Sequence, residues 1–254
     1  MTIRRNKLSP QTNGAAATPA NSAASGDPWA ANNLGTGSTA KYRTTAPLPT
    51  GASAVLDLTP ATSQIANIDD TALGSVTDIQ FEDCFYYPAA PTVNNTVIAQ
   101  IRGSGGRSID LAVTTAGKVV AIAAAQIGST PATALTAGNY YRYRWKAHGD
   151  AATPANGTTS YTIFDMSGNV VQSSSGTGTI NNAPFTTARR GCTSGTFAVA
   201  GNWTTWTYGL LQLGDVTADI GPYPTNVPPT ANAGPDQVNV EPYTTVVLFG
   251  AASS

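Results

Sequence analysis

Residues 140–146 read Tyr-Tyr-Arg-Tyr-Arg-Trp-Lys, and the fold follows from them. Tyr141, Tyr143 and Trp145 hold alternate positions, and Arg142, Arg144 and Lys146 fill the positions between. A strand sends successive side chains to opposite faces, so period two separates aromatics from cations completely. A helix, at about 100° per residue, smears both sets around its axis. The stretch is therefore a strand, with an aromatic core face and a basic outer face. Outward from it the pattern repeats. Ile109, Leu111 and Val113 alternate with Asp110 and Ala112, Thr114–Lys118 supplies a turn at Gly117, and Val119–Ala123 returns, which is a hairpin signature. Val97–Arg102 precedes it across Gly103-Ser104-Gly105-Gly106, giving a meander. Further strands are expected around Ile79 and Phe81, ending near Phe85-Tyr86-Tyr87-Pro88, and around Tyr161 and Ile163, closed by the turn Met166–Asn169. Trp203–Leu213 is the last long apolar run, and no helix longer than two turns is expected. Short strands at this spacing predict an all-β sandwich or barrel.

Composition narrows the function. The chain has 254 residues, enough for one large domain or one domain and a fragment at about 150 residues each. Charged residues make up 11%, against about 25% in an average domain, and the net charge is −1. This excludes a nucleic-acid binder driven by counterion release and an acidic disordered tail. One histidine, His148, and two cysteines, Cys84 and Cys192, exclude a His cluster, a zinc site and a disulfide-dense scaffold. The basic start Met1–Lys7 is followed by Ala, Thr, Asn, Pro, Ser and Gly rather than an apolar run, so no signal peptide is read and synthesis in a cytoplasm is expected. No 18-residue apolar stretch is present, so no membrane insertion is expected. Cys84 and Cys192 are then expected as reduced thiols. The alternative is a bridge closing a loop of about a hundred residues, worth about 4–5 kcal/mol in the chain-entropy model.

Residues 1–40 are low in complexity and are read as an extended arm, with Ile3, Arg4, Arg5, Leu8 and Trp29 as its assembly contacts. The alternatives are a disordered tail and an arm that orders on a partner subunit. Residues 41–223 form the sandwich. Residues 224–229 are a linker, because prolines 222, 224, 228 and 229 cannot serve a sheet ladder. Residues 230–254 open a second module.

Pro228-Pro229, Ala231, Ala233-Gly234, Asp236-Gln237, Val238, Val240, Val246, Leu248, Gly250 and Ser253-Ser254 resemble the start of a PKD (polycystic kidney disease) domain, an Ig-like sandwich. Phe249 departs from a position often held by Asp. The likeness stops in that module's second strand, so either a longer polypeptide or an ordered limit at residue 254 is expected. Ile3-Arg4-Arg5-Asn6, Gly26-Asp27-Pro28-Trp29, Asn139–Trp145 and Ile220-Gly221-Pro222-Tyr223 resemble the concanavalin-like (laminin-G-like) jelly roll of minor tail proteins from phages of actinobacteria. That resemblance implies a virion protein without enzymatic activity, acting in tail assembly or host-glycan attachment. It implies other virion proteins and a homo-oligomer, by analogy a trimer, as partners. The alternatives are a capsid decoration protein or head fibre, and a carbohydrate-binding module of a bacterial surface protein.

Catalytic constellations are weak. The glucanase pattern Glu-x-Asp-x-x-Glu has no match. Its nearest stretch, Asp78-Ile79-Gln80-Phe81-Glu82-Asp83, has the wrong first residue and spacing, so Asp78 and Glu82 are read as a solvated face. His148 precedes Gly149-Asp150 and is read as a loop histidine, so no catalytic residue is expected. No cofactor is expected. Calcium on Asp69, Asp70 and Asp165 is the exception considered, although no Asp-x-Asp-x-Asp-Gly loop is present. Gly103–Arg107 lacks the Lys-Ser/Thr of a phosphate loop. Arg142, Arg144 and Lys146 are candidate partner or glycan contacts. Trp203 and Trp206 cannot share a face under strict alternation, so Trp206 and Tyr208 are assigned to the core and Trp203 to a glycan.

Overall fold

The structure is a computed structural model describing residues 2–9, 11–103, 108–180, 183–196, 201–215 and 220. Residues 1–223 form one compact unit. The linker and PKD-like segment, residues 224–254, lie outside the described residues, as do residues 104–107 and residues 221–223.

In chain order the elements are β1 (Ile3–Asn6), α1 (Pro19–Ser22), β2 (Ala31–Leu34), β3 (Thr39–Arg43), β4 (Val55–Thr59), β5 (Ala66–Asp70), β6 (Asp78–Tyr87), β7 (Thr96–Gly103) and β8 (Ser108–Val113). They continue with β9 (Val119–Ile122), β10 (Gln126–Ile127), β11 (Asn139–His148), β12 (Gly157–Phe164), β13 (Val170–Gly178), β14 (Phe185–Cys192), β15 (Trp206–Gly209) and β16 (Leu211–Gly214). One sheet runs β13-β12-β11-β6-β15-β4-β3, with β16 also on β6 and β1 on β16; the other runs β10-β9-β8-β7-β14-β5-β2. The pairings are antiparallel, and the two sheets stack face to face as a jelly-roll sandwich. The all-β expectation holds.

The first sheet is organised around β6 and β11, which pair from Asn139↔Tyr87 to His148↔Asp78 without a break. Tyr141, Tyr143 and Trp145 point into the core at 4%, 0% and 0% exposure. Phe81 and Phe85 from β6 join them, Phe81 stacking on Trp145 at 5.3 Å between centroids. The polar tips of the large aromatics reach across to the second sheet, as buried hydroxyl and indole groups must. Tyr161 Oη donates to Val119 O at 2.6 Å. Trp206 Nε1 donates to Val97 O at 2.9 Å and Tyr208 Oη to Ile98 O. Those two carbonyls lie at the β7 bulge between Val97 and Ala99, where the ladder to β8 is interrupted.

A buried ion pair lies within this apolar layer. Asp83 faces inward between Phe81 and Phe85 and is fully buried. Its Oδ2 accepts from Arg190 Nε of β14 at 2.6 Å and from Tyr143 Oη at 2.6 Å. Its Oδ1 accepts from Gln212 N at 2.7 Å and Arg190 Nη2 at 3.2 Å. Burial opposes the Arg190 charge, and Asp83 more than restores it, so the guanidinium pKa is raised. Gly191, at φ +116°, follows Arg190; a Cβ there would clash with the Ala66 carbonyl oxygen.

The first forty residues correct the arm expectation. β1 pairs with β16 from Ile3↔Gly214 to Asn6↔Leu211, β2 pairs with β5, and β3 pairs with β4. Leu8 is 0% and Trp29 3% exposed, within the main core. Arg4 Nε bonds Asp70 Oδ2 at 3.2 Å, and Arg5 Nε bonds Gln212 Oε1 at 2.8 Å. The anchors find their apolar surface, and the cations their acceptors, within this chain; the sandwich begins at Ile3 rather than at residue 41.

Two outcomes follow. Trp29→Ala should lower unfolding stability by about 3–5 kcal/mol, the cost of truncating a core aromatic; a denaturant midpoint equal to the parent's would restore the arm. The second outcome concerns pH. Burial raises Tyr42, Tyr161 and Cys84 to about 12 and Cys192 to about 11, and lifts Tyr143 and Tyr208 well above the usual tyrosine range. The folded chain keeps these protons where the unfolded chain releases them, so stability is intact below about pH 9 and is lost as pH rises toward about 12. Urea titrations should show this decline; a flat profile from about pH 8 to about pH 11 contradicts the burial.

Candidate functional site

Alternation along β11 sends Tyr140, Arg142, Arg144, Lys146 and His148 to the face of the first sheet turned away from the core. Their cross-strand neighbours on β6 are Tyr86, Cys84, Glu82, Gln80 and Asp78. On β12 they are Phe164, Thr162, Ser160 and Thr158, and β13 adds Ser173, Ser175 and Thr177 beside these. The face therefore carries a row of cations bordered by carboxylates on one side and by hydroxyls on the other.

Glu82 organises the middle of the row. Arg144 Nε lies 2.6 Å from Glu82 Oε2, and Arg142 Nε lies 3.1 Å from Oε1. The carboxylate is wholly covered, and each guanidinium side chain is 20% exposed. Both guanidiniums lie over the Phe164 ring, at 4.4 Å for Arg142 and 5.5 Å for Arg144. Burial pushes the Glu82 carboxyl up, against the downward pull of Arg144 and Arg142. Glu82 is thus a structural counter-charge, correcting its reading as a solvated residue.

At the His148 end the face hollows into a groove of about 410 Å³, lined by Asp78, Lys146, His148, Thr158, Ser160, Ser175 and Thr177. His148 is the last residue of β11, not a loop histidine, and its Nδ1 lies 2.9 Å from Asp78 Oδ1. That contact engages Nδ1 and leaves Nε2 as the second ring nitrogen for a ligand or a proton. At the other end of the row, a second hollow of about 540 Å³ is lined by Leu48, Pro49, Asn139, Tyr140, Asp165 and Met166.

The remaining candidates lie elsewhere. Trp203 is 2% exposed, donates Nε1 to Ala89 O at 2.8 Å and packs edge-on against Trp206 at 5.7 Å, so it is not a glycan contact. It precedes β15, which is why strand parity does not govern it. Asp69 is bidentate with Arg189, Asp70 bonds Arg4, and Asp165 caps its own turn through Ser167 N and Asn169 N. The structure does not assemble the three into a calcium site, and no cluster of metal-ligating side chains is present among the described residues. Cys84 and Cys192 are buried free thiols. Sequence reasoning missed the hydroxyl row. For β12 a signal existed: with Tyr161 and Ile163 inward, Ser160, Thr162 and Thr158 must point outward. The Ser-rich β13 has no apolar period and gave none.

No family model matches the chain, and no curated protein matches it. Among solved structures, the chain is similar to the cellulose-induced protein Cip1, with a TM-score of 0.53 at 11% identity, covering 74% of this chain and 91% of that one. It is also similar to a PL-14 alginate lyase from Aplysia kurodai, with a TM-score of 0.46 at 10% identity over 68% of this chain and 86% of that one. A third is a mutant of alginate lyase Aly36B in complex with an alginate tetrasaccharide, with a TM-score of 0.48 at 11% identity over 85% and 98%. The likeness to Cip1 shows the fold alone, a jelly roll. The expectation that the chain is not an enzyme is corrected to this extent, that alginate lyases are among the solved structures similar to it. That expectation rested on a missing glucanase carboxylate pair and a single histidine.

Glu82→Ala should cost about 1–3 kcal/mol. This is less than the 3–5 kcal/mol for breaking a fully buried pair, because solvent reaches the two arginines. Denaturant unfolding checks it, and an unchanged midpoint contradicts the counter-charge role.

Proposed function

We propose that this chain is a glycan-binding jelly-roll protein whose ligand lies in the groove between β6, β11, β12 and β13. The observation that carries the reading is the groove itself. Lys146, the His148–Asp78 pair and four hydroxyl side chains converge on one open hollow on a rigid sheet. Its volume falls within the range of about 300–1,000 Å³ typical of small-molecule sites. Hydroxyls, an imidazole and an ammonium match the donors and acceptors of a sugar chain.

The finer reading is a bacteriophage virion protein, most specifically a minor tail protein that contacts the host-surface glycan, made in the host cytoplasm and assembled with other virion proteins. It rests on the tail-protein resemblance of Ile3–Asn6, Gly26–Trp29, Asn139–Trp145 and Ile220–Tyr223, together with the PKD-like residues that follow. Self-association, as a trimer or otherwise, is not assigned to residues 1–40, since their anchors are used within the chain. The His148–Asp78 pair is also the group that acid–base chemistry on a bound glycan would use, so the binding assay is read for chain cleavage as well.

The test is affinity electrophoresis of the protein through gels containing host cell-wall and capsular polysaccharides. At least one should retard it, and Lys146→Ala with His148→Ala should weaken retention about tenfold, the scale of one lost charged contact. Retention by no polysaccharide, or retention unchanged in the double variant, contradicts the assignment.

A further inference from the structure

The first sheet carries a hollow at each end of β11. One, at His148, is the groove of the glycan reading. The other, of about 540 Å³, opens where β11 begins, between the Leu48-Pro49 loop and the β12–β13 turn at Asp165–Ser167. Tyr140 and His148 are outward residues of one strand, eight positions apart, so at about 3.3 Å per residue the hollows stand about 26 Å from each other.

The surface between them is a lane of hydroxyls. Strand pairing sets Thr177 beside Thr158, Ser175 beside Ser160 and Ser173 beside Thr162. The three β13 members of this lane are exposed, and Ser160 and Thr162 are half-buried. Past Thr162 the register shifts at the bulge between Ile163 and Phe164, and Phe164 comes to stand beside Val170. There the chemistry changes. Val170 is 60% exposed, the most exposed large apolar side chain among the described residues. A lone apolar side chain at a surface is ordinary, but this one adjoins a hollow lined by Val171, Met166, Leu48 and Pro49. The hollow's carboxylate is already engaged: Asp165 accepts from Ser167 N, Asn169 N and Asn169 Nδ2. One end of β11 thus offers polar groups and the other an apolar surface, joined by hydroxyls.

The geometry points to an internal stretch of a linear polysaccharide as the ligand, lying along β11–β13 from the His148 groove to the Tyr140 hollow. This inference rests on the glycan reading and fixes the length and form of its ligand. A sugar ring has hydroxyls at its edge and an apolar C–H face, and a linear chain repeats both along its length. The hydroxyl lane meets ring edges, and the Val170–Met166 end meets a ring face. A terminal sugar meets the groove alone. Contacts at two hollows joined through one chain make the second contact intramolecular, so affinity grows with chain length until both are reached.

The test uses partial acid hydrolysates of the host cell-wall and capsular polysaccharides, fractionated from disaccharide to decasaccharide, with titration calorimetry on the full chain. The longest fragments of at least one polymer should bind about tenfold or more tighter than its shortest binding fragment, with a plateau once the chain spans the lane. Val170→Asp and, separately, Ser173→Trp should bring the long fragments close to the short-fragment affinity, the first by removing the apolar end and the second by filling the lane. Both positions are exposed, so both variants should fold, which circular dichroism checks. His148→Ala should weaken fragments of every length. Affinity independent of length, or long-fragment binding untouched by both the Val170 and Ser173 variants, overturns the extended-chain inference and leaves the groove standing. Binding of no fragment, together with no retention by any intact polymer, overturns both.

Discussion

Asp83 sits in the middle of the sandwich with Arg190, Tyr143 and the Gln212 amide aimed at its two oxygens. An isolated carboxylate there would be untenable; with its acceptor positions filled and a guanidinium in contact, it is held in place. The pair ties β6 to β14 across the two sheets and clips β16 onto β6, because Arg190 Nη2 also bonds Gln212 O. Register is the consequence. A one-residue slip of β6 would turn Phe81 and Phe85 out of the core and break the Asp83–Arg190 contact.

Adjacent residues on β6 therefore serve opposite faces. Asp83 locks the interior, and Glu82 gathers Arg142 and Arg144 on the exterior. Since β11 runs beside β6 over its whole length, fixing β6 also fixes the outward cations of β11 and the Asp78–His148 contact at its end. The groove is built on strands rather than loops, so its groups stand at spacings that the pleat imposes. The same alternation that buries Tyr141, Tyr143 and Trp145 presents the outward side chains of the groove, which makes fold and candidate site two readings of one strand.

That coupling explains what could be read from the residues alone. The β11 stretch, the β8–β9 hairpin and the aromatic face of β6 were legible because large apolar residues recur there at every second position, with few breaks. Asp83 was also within reach: it alternates with Phe81 and Phe85, and a charge on an apolar face needs a partner. The N-terminal strands were not legible, because β1 (Ile-Arg-Arg-Asn) and β2 (Ala-Asn-Asn-Leu) carry almost no apolar period. Their place is set by pairing with β16 and β5, more than two hundred and about thirty-five residues away in the chain for β1 and β2. Trp203 was misassigned because parity was applied beyond the strand's start. The groove was half legible: its cations were marked by β11, whereas its depth depends on how β12 and β13 lie beside them.

The central claim is that a glycan is held on the β6–β11–β12–β13 face. The direct measurement is an NMR titration of isotopically labelled protein with oligosaccharides of a polymer that binds. The account predicts chemical-shift changes concentrated at Lys146, His148, Ser160 and Ser175, with Gln100, Asp110 and Arg189 on the opposite sheet unmoved. Changes centred on the opposite sheet, or spread evenly over both, would contradict it.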